Sequence, residues 1–318
     1  MKILVTGANG FVGRALCAEL SRQEYLVIAA LRKGRAEVDG LIQTTVICSI
    51  DNNTDWSAAL QNVDVVIHLA ARVHIMSDHA ADPLAEFRKV NVEGTLSLAL
   101  QATKAGVKRF VFISSIGVNG NVTSSHHPFT AEDMPDPYDA YSTSKYEAEQ
   151  GLLKLVAIAG FEVVIIRPPL VYGCGAPGNF RRIISALKNH YPLPLGAIKN
   201  KRSFVYIDNL VSLIVRCIDH PAAANQVFLV SDGNDLSTTE LLRACAGALS
   251  LKSRLVPIPQ KLIEVFAALI GKENVAQRLC GNLQVDITKA RTLLDWTPPT
   301  TVEDGLKATA IGFNKVNK

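Results

Sequence analysis

Tyr141 and Lys145 set the chemistry this chain could perform. They stand four positions apart at the start of a run with helical periodicity that extends to about residue 159. On an α-helix that spacing puts both side chains on one face, so an ammonium can stand beside a phenol and favour its ionised form. A free phenol titrates near ~10, too high to carry protons at neutral pH, and a fixed positive charge is the simplest correction. The same spacing also occurs in ordinary surface pairs. The elements around the pair decide between the two readings.

Residues 3–5 are a continuous apolar run, as in a buried parallel strand, and a helical pattern through about residue 22 follows. Between them lies Gly7-Ala8-Asn9-Gly10-Phe11-Val12-Gly13. Glycines here remove the Cβ atoms that would keep a pyrophosphate from the free N–H groups at the helix N-terminus, and the strand before and helix after are the context that gives the triplet meaning. A second strand, 25–31, ends in Arg32-Lys33-Gly34-Arg35, where a dinucleotide fold places its ribose-reading residue. An acid there would bind the 2′-hydroxyl of NAD, whereas an arginine accommodates the 2′-phosphate of NADP. The expectation is NADP(H) in preference to NAD(H), carried by Arg32 with help from Lys33 or Arg35. A solvated basic loop is the plain alternative.

Strands are also predicted over 44–49, 63–68, 109–113, 163–167 and 226–230. Asp51, after the third, could bond an adenine amino group or cap a turn. Leu69, Ala70 and Ala71, after the fourth, are small enough to let a cofactor lie across the carboxyl edge of the sheet. Helical sequence over 84–104 contains Asn91 and Gly94, which both lower helix stability; Asn91 is expected to serve structure by bonding to a neighbouring strand. The stretch from Ser237 to Glu240 reads as a capping box. No cysteine or carboxylate pattern accompanies His68, His74 and His79, and the adjacent His126 and His127 would point apart, so no metal is expected.

The net charge of +4 comes without a long basic run, which gives no footprint for nucleic acid. Six scattered cysteines with no CxxC pair argue against a disulfide framework or a structural zinc. The chain runs straight into a strand with no leader pattern, and the apolar run 262–270 is too short to cross a bilayer. A soluble cytoplasmic protein without membrane insertion is expected.

Gly7, Gly10 and Gly13, then Ser115, then Tyr141 and Lys145, in this order and on these elements, resemble the extended short-chain dehydrogenase/reductase family of nucleotide-sugar epimerases, dehydratases and reductases. The likeness continues through Arg167-Pro168-Pro169-Leu170-Val171-Tyr172-Gly173, Asn179-Phe180, Arg202-Ser203-Phe204-Val205-Tyr206-Ile207-Asp208-Asn209, and the segment from Asp286 to Pro298. It implies an α/β fold: a Rossmann-type doubly wound parallel sheet with helices on both faces, plus a smaller C-terminal substrate-binding lobe. Residues 1–169, with 204–232 packing back, would bind the dinucleotide, and 170–203 with 233–318 the nucleotide sugar.

The resemblance also implies roles. Tyr141 would give or take a proton, Lys145 would lower its pKa and hold the nicotinamide ribose, and Ser115 would bond the reacting oxygen. Gly7, Gly10, Phe11, Val12, Gly13, Arg32, Asp51, Leu69, Ala70, Ala71 and Pro168 are expected to line the cofactor. Asn179, Arg202 and Arg278 would touch the diphosphate of a UDP-sugar. A homodimer through the long helices flanking Ser115 is implied as well. Two positions depart from the pattern: Pro169-Leu170 stands where many epimerases carry an Asn, and Asn209 where an Asp is usual, the latter read as a packing difference.

The run Pro192-Leu193-Pro194-Leu195-Gly196 with Lys201-Arg202-Ser203 looks like bacterial surface-polysaccharide enzymes that reduce a UDP-4-keto-6-deoxy-N-acetylhexosamine to UDP-N-acetylquinovosamine. That reduction is the first expectation, and a UDP-glucose or UDP-N-acetylglucosamine 4-epimerase the second. A cofactor-sensing regulator without catalysis is a third, opposed by the intact Ser115, Tyr141 and Lys145, since a sensor has no use for a proton relay.

Overall fold

Continuous apolar strands need cover on both sides, and the chain supplies it with helices between the strands. The computed structural model describes residues 1–32, 42–73, 82–124 and 127–316. In order, β1 (Lys2–Thr6), α1 (Phe11–Arg22), β2 (Leu26–Leu31), β3 (Ile42–Val46) and β4 (Val65–His68) are followed by α2 (Pro83–Arg88), α3 (Thr95–Lys104) and β5 (Arg109–Ile113). Next come α4 (Ala140–Ala159), β6 (Glu162–Arg167), β7 (Leu170–Tyr172), α5 (Asn179–Lys188), β8 (Phe204–Tyr206), α6 (Ile207–Arg216) and β9 (Gln226–Leu229). Five helices close the chain: α7 (Thr238–Ala248), α8 (Gln260–Leu269), α9 (Glu273–Cys280), α10 (Thr288–Leu294) and α11 (Val302–Val316).

Seven strands form one parallel sheet in the order β3-β2-β1-β4-β5-β6-β9. Alternate residues feed two cores. Leu4, Val66, Phe110, Phe112, Val163 and Ile165 pack under Leu98 and Ala102 of α3 and Ala148 and Leu152 of α4. Ile3, Val5, Ile67, Val111, Val164 and Ile166 pack on the opposite side with Leu16 and Leu20 of α1 and Leu210 and Ile214 of α6. The sheet is thus Rossmann-like, with helices on both faces.

The structure redraws some sequence boundaries. The third strand ends at Val46 because the chain then turns at 49–54, where the Thr54 hydroxyl donates to the Ser49 carbonyl (3.0 Å) and the Asp51 amide donates to Thr54 Oγ1 (3.1 Å). The predicted helix over 84–104 is three pieces, with a π-helical segment Lys89–Gly94 between α2 and α3. Gly94 lies at its end because the 50–51 turn is pressed against it: an added Cβ would come within 2.8 Å of Ile50 Cγ2. A second, two-stranded parallel sheet of β7 and β8 has no counterpart in the predicted strands. The Tyr172 hydroxyl donates to Asp232 (2.8 Å), and Asn209 donates to Asp232 (2.7 Å) and the Thr300 carbonyl (2.8 Å). Asn209 therefore ties the elements around β8 to the chain entering α11. The Ser237–Glu240 capping box opens α7 as expected.

Candidate active site

The glycine turn at the end of β1 is packed too closely for any side chain. Gly7 has φ 66°, a conformation that suits glycine, and a Cβ there would lie 2.9 Å from the Ala70 nitrogen. A Cβ on Gly13 would run into the Gly7 carbonyl oxygen. The turn rests on Leu69 and Ala70 and delivers the N-terminus of α1, a cradle that fits the pyrophosphate of a dinucleotide.

Behind this cradle a buried chain of hydrogen bonds fixes the end of β4. Thr95 Oγ1 donates to the Asn91 carbonyl (2.7 Å), so it must accept from His68 Nε2 (3.0 Å). His68 Nδ1 then accepts from Thr6 Oγ1 (2.7 Å), which in turn accepts from the Ala70 amide (3.2 Å). Burial, with the charge of Lys145 adding to it, pushes the His68 pKa down to about 3, so the ring is neutral and structural. Among the described residues no group of three His, Cys, Asp or Glu is placed to hold a metal. His74, His79 and His126 lie outside the described residues.

Asn91 clamps the next segment. It receives the Arg72 amide (2.8 Å), donates to the Arg72 carbonyl (3.0 Å), and donates to Ser144 Oγ (3.0 Å). It reaches a loop and a helix, where sequence reading expected a strand. Asp139 is the N-cap of α4; its carboxylate accepts from the Ser142 amide (2.8 Å) and so places Tyr141 in the first turn and Lys145 one turn later. The Phe87 ring stands against Tyr141 at 6.0 Å, edge to face.

Lys145 is 1% exposed. Its ammonium donates to the Ile113 carbonyl at the end of β5 (2.8 Å) and lies over the Phe112 ring, 4.3 Å from its centroid. Burial lowers its pKa to about 7, opposed by the charge of Glu149. Burial raises that of Tyr141, and the neighbouring Asp139 and Tyr138 raise it further. Without a bound cofactor the expected depression of the phenol by Lys145 is not seen. In the protein alone burial drives both groups toward neutrality, the carboxylate of Asp139 adds to the rise at Tyr141, and Lys145 is committed to Ile113 and Phe112.

Ser115 caps a short turn over residues 116–118, its Oγ accepting from the Gly117 amide (3.1 Å). Pro168 fixes this turn from below, its carbonyl accepting from the Ile116 amide (3.0 Å). A Cβ on Gly117 would strike Ser142 Oγ, so the turn sits directly on the first turn of α4. Sequence reading missed the group beneath. Glu149, one helical turn beyond Lys145, is 1% exposed; it accepts from Ser114 Oγ (2.5 Å) and from Arg167 Nε (3.0 Å), and Arg167 Nη1 donates to Asn119 (2.9 Å). The four-residue spacing of 141, 145 and 149 was the available signal.

Arg32 stands exposed at the end of β2, while Lys33 and Arg35 lie outside the described residues. Asp51 binds its own turn: hydrogen bonds from the Ser49 side chain and the Asn53 amide (3.0 Å) hold its pKa low. The geometry is that of a turn cap. Asn179 heads α5, but its side chain is outside the described residues. Half-buried Arg202 donates to the Gly281 carbonyl (3.0 Å), just beyond the last turn of α9 that carries exposed Arg278. Burial and then Asp139 raise the pKa of Tyr138, and the charges of Arg278 and Arg202 oppose that rise. Tyr138, three residues before Tyr141, lies near enough to both arginines to feel their charge; sequence reading passed over it.

Residues 3–231 match the NAD dependent epimerase/dehydratase family. The chain is 47% identical to the UDP-glucose 4-epimerase of Vibrio cholerae over 99% of this chain and 96% of that protein. It is 28% identical, over 96% of this chain and 93% of the relative, to the N-acetyl-alpha-D-glucosaminyl-diphospho-ditrans,octacis-undecaprenol 4-epimerase of Escherichia coli. Among solved structures it superposes on a UDP-glucose 4-epimerase of Thermotoga maritima with UDP-glucose at TM-score 0.80, with 23% identity and all of both chains covered. A UDP-glucuronic acid 4-epimerase of Bacillus cereus with NAD gives TM-score 0.80, 24% identity and coverage of 99% and 97%.

Proposed function

Since the chain belongs to the NAD dependent epimerase/dehydratase family, we propose that it is an enzyme acting at C4 of a UDP-sugar, and that it inverts that centre as a 4-epimerase. The meeting of the Ser115 turn, Tyr141 and Lys145 at the carboxyl edge of β5, beside the glycine cradle, supports chemistry on a sugar hydroxyl. The 47% identity to the Vibrio cholerae enzyme supports epimerisation over reduction. In this reading residues 1–169, with 204–232, carry the dinucleotide, and 170–203 with 233–318 hold the sugar nucleotide.

Gly7, Gly10, Phe11, Val12 and Gly13 would hold the pyrophosphate, and Leu69, Ala70, Ala71 and Pro168 would flank the rest of the cofactor. NAD bound there would supply the hydride chemistry at C4. Ser115 Oγ bonds the C4 oxygen and Tyr141 takes its proton, then gives it back after the ketone has turned over. Lys145 would bond the ribose hydroxyls, while Arg202 and Arg278 would neutralise the UDP diphosphate and the Asn179 amide would donate to it.

A second reading, the 4-ketoreductase, rests on exposed Arg32 at the end of β2, where a 2′-phosphate of NADP would be met. One preparation separates the two. Protein purified without added cofactor and then denatured should release near-stoichiometric NAD(H), and the native protein should interconvert UDP-glucose and UDP-galactose unaided. An empty site, no epimer, and consumption of NADPH by a UDP-4-keto sugar would replace the epimerase with the reductase. Pairing of two copies is the expected assembly. It is supported by a groove of about 770 Å³ along α3 and α4, lined by Leu96, Leu100, Tyr146 and Leu155 among others.

A further inference from the structure

Helix α8 is oriented contrary to the rule for surface helices. Leu262, Val265, Phe266 and Leu269 follow the spacing i, i+3, i+4, i+7 that normally marks a core-facing stripe. Here the stripe faces solvent, with exposures of 59%, 58%, 64% and 80%. The opposite side touches the protein through buried Ala267 and half-buried Gln260 and Ile263. Exposed Ile270 and Val275 continue the patch into the turn and onto α9. A contiguous outward apolar stripe of this kind marks an interaction surface.

Charge selects the partner. Residues 251–280 carry five basic groups (Lys252, Arg254, Lys261, Lys272, Arg278) against two acids, Glu264 and Glu273. Lys261 flanks the stripe and Lys272 stands just past its C-terminal end, both exposed. Exposed Glu264 lies on the side of α8 away from the stripe, accepting from Gln260 Nε2 (2.8 Å), which also donates to the Cys280 carbonyl (3.3 Å). An outward stripe of large apolar side chains, a lysine on its flank and another at its end form the pattern of a helix lying in a bilayer interface. Ten residues lie along such a surface without crossing it, and no helix among the described residues is long and apolar enough to cross a membrane.

We infer that α8 docks this protein on an anionic membrane surface, with Leu262, Val265, Phe266 and Leu269 in the headgroup region and Lys261 and Lys272 against acidic lipids. The surface adjoins the substrate lobe: the Cys280 carbonyl that receives Gln260 is one residue before the Gly281 carbonyl that holds Arg202. Docking would place the Arg202–Arg278 side of the molecule near the bilayer.

The test is co-sedimentation of the full chain with two kinds of vesicle, pure phosphatidylcholine and phosphatidylcholine containing one part in three of phosphatidylglycerol. The wild type should pellet with the anionic vesicles, less so in high salt. Phe266→Asp and Leu269→Asp should each weaken pelleting at least tenfold while leaving the circular dichroism spectrum and melting temperature unchanged. Recovery of the wild type in the supernatant with both vesicles, or equal pelleting of Leu269→Asp, overturns the inference. A wild type that ignores vesicles and loses self-association on Leu269→Asp overturns it in favour of a second copy on this face. None of these readouts depends on turnover, so the assay stands apart from the test for the epimerase.

Discussion

At Lys145, burial and function pull in opposite directions. A lysine pKa lowered from 10.5 to about 7 means that the folded protein binds fewer protons than the unfolded chain between those values. Stability of the cofactor-free protein therefore carries a penalty that is full below pH 7 and is relieved as pH rises toward 10.5. Urea midpoints should climb across that window, and Lys145→Met should flatten the climb. His68, lowered from 6.5 to about 3, adds acid sensitivity in the interval between those two values, because the unfolded chain takes up a proton that the folded ring refuses. His68→Gln should shift acid unfolding to lower pH, read by tryptophan fluorescence. Tyr141→Phe belongs to the same scale: kcat should fall by roughly 10²–10⁴, the range for a lost general acid–base, with dinucleotide affinity retained. Preserved turnover would remove Tyr141 from its assigned role.

Among the elements, α4 carries the heaviest burden, since one face presents Tyr141, Lys145 and Glu149 to three different partners. Glu149 and Arg167 form a buried ion pair that joins α4 to the ends of β5 and β6. Glu149→Ala would strand a buried guanidinium and should cost about 3–5 kcal/mol in denaturant unfolding, whereas Glu149→Met with Arg167→Met should recover much of it. The seven sheet strands and the start of α4 were legible because strand patterns and helical periodicity are local signals. Asn91 drew notice as a poor helix residue, yet its partners at Arg72 and Ser144 lie 19 and 53 positions away and leave no trace in local pattern. Strands β7 and β8 escaped for a related reason: each is three residues long, and their pairing exists across a sequence gap that periodicity does not bridge. Tyr138 was invisible because its significance comes from Arg202 and Arg278, which the fold brings to it.

For the molecule as a whole, the glycine cradle and the order of motifs made the Rossmann-like sheet readable from the outset. The outward stripe of α8 was read for its length alone. Its consequence depends on which side of the helix meets the protein, a tertiary fact. Assembly is the quantity to measure at this scale. Leu100→Asp, on the exposed face of α3, should convert the proposed dimer to a monomer in sedimentation, whereas α8 substitutions should leave that equilibrium unchanged. The sheet itself has a further consequence in time. Its last strand, β9, pairs with β6 from some sixty residues downstream (Val164 with Gln226), and the α6 helix that covers one core is made shortly before it. A chain emerging from the ribosome as far as residue 203 holds six of the seven strands but presents an open β6 edge and an uncovered apolar face, surfaces prone to wrong pairing. The β6 edge is therefore closed only once synthesis has passed β9.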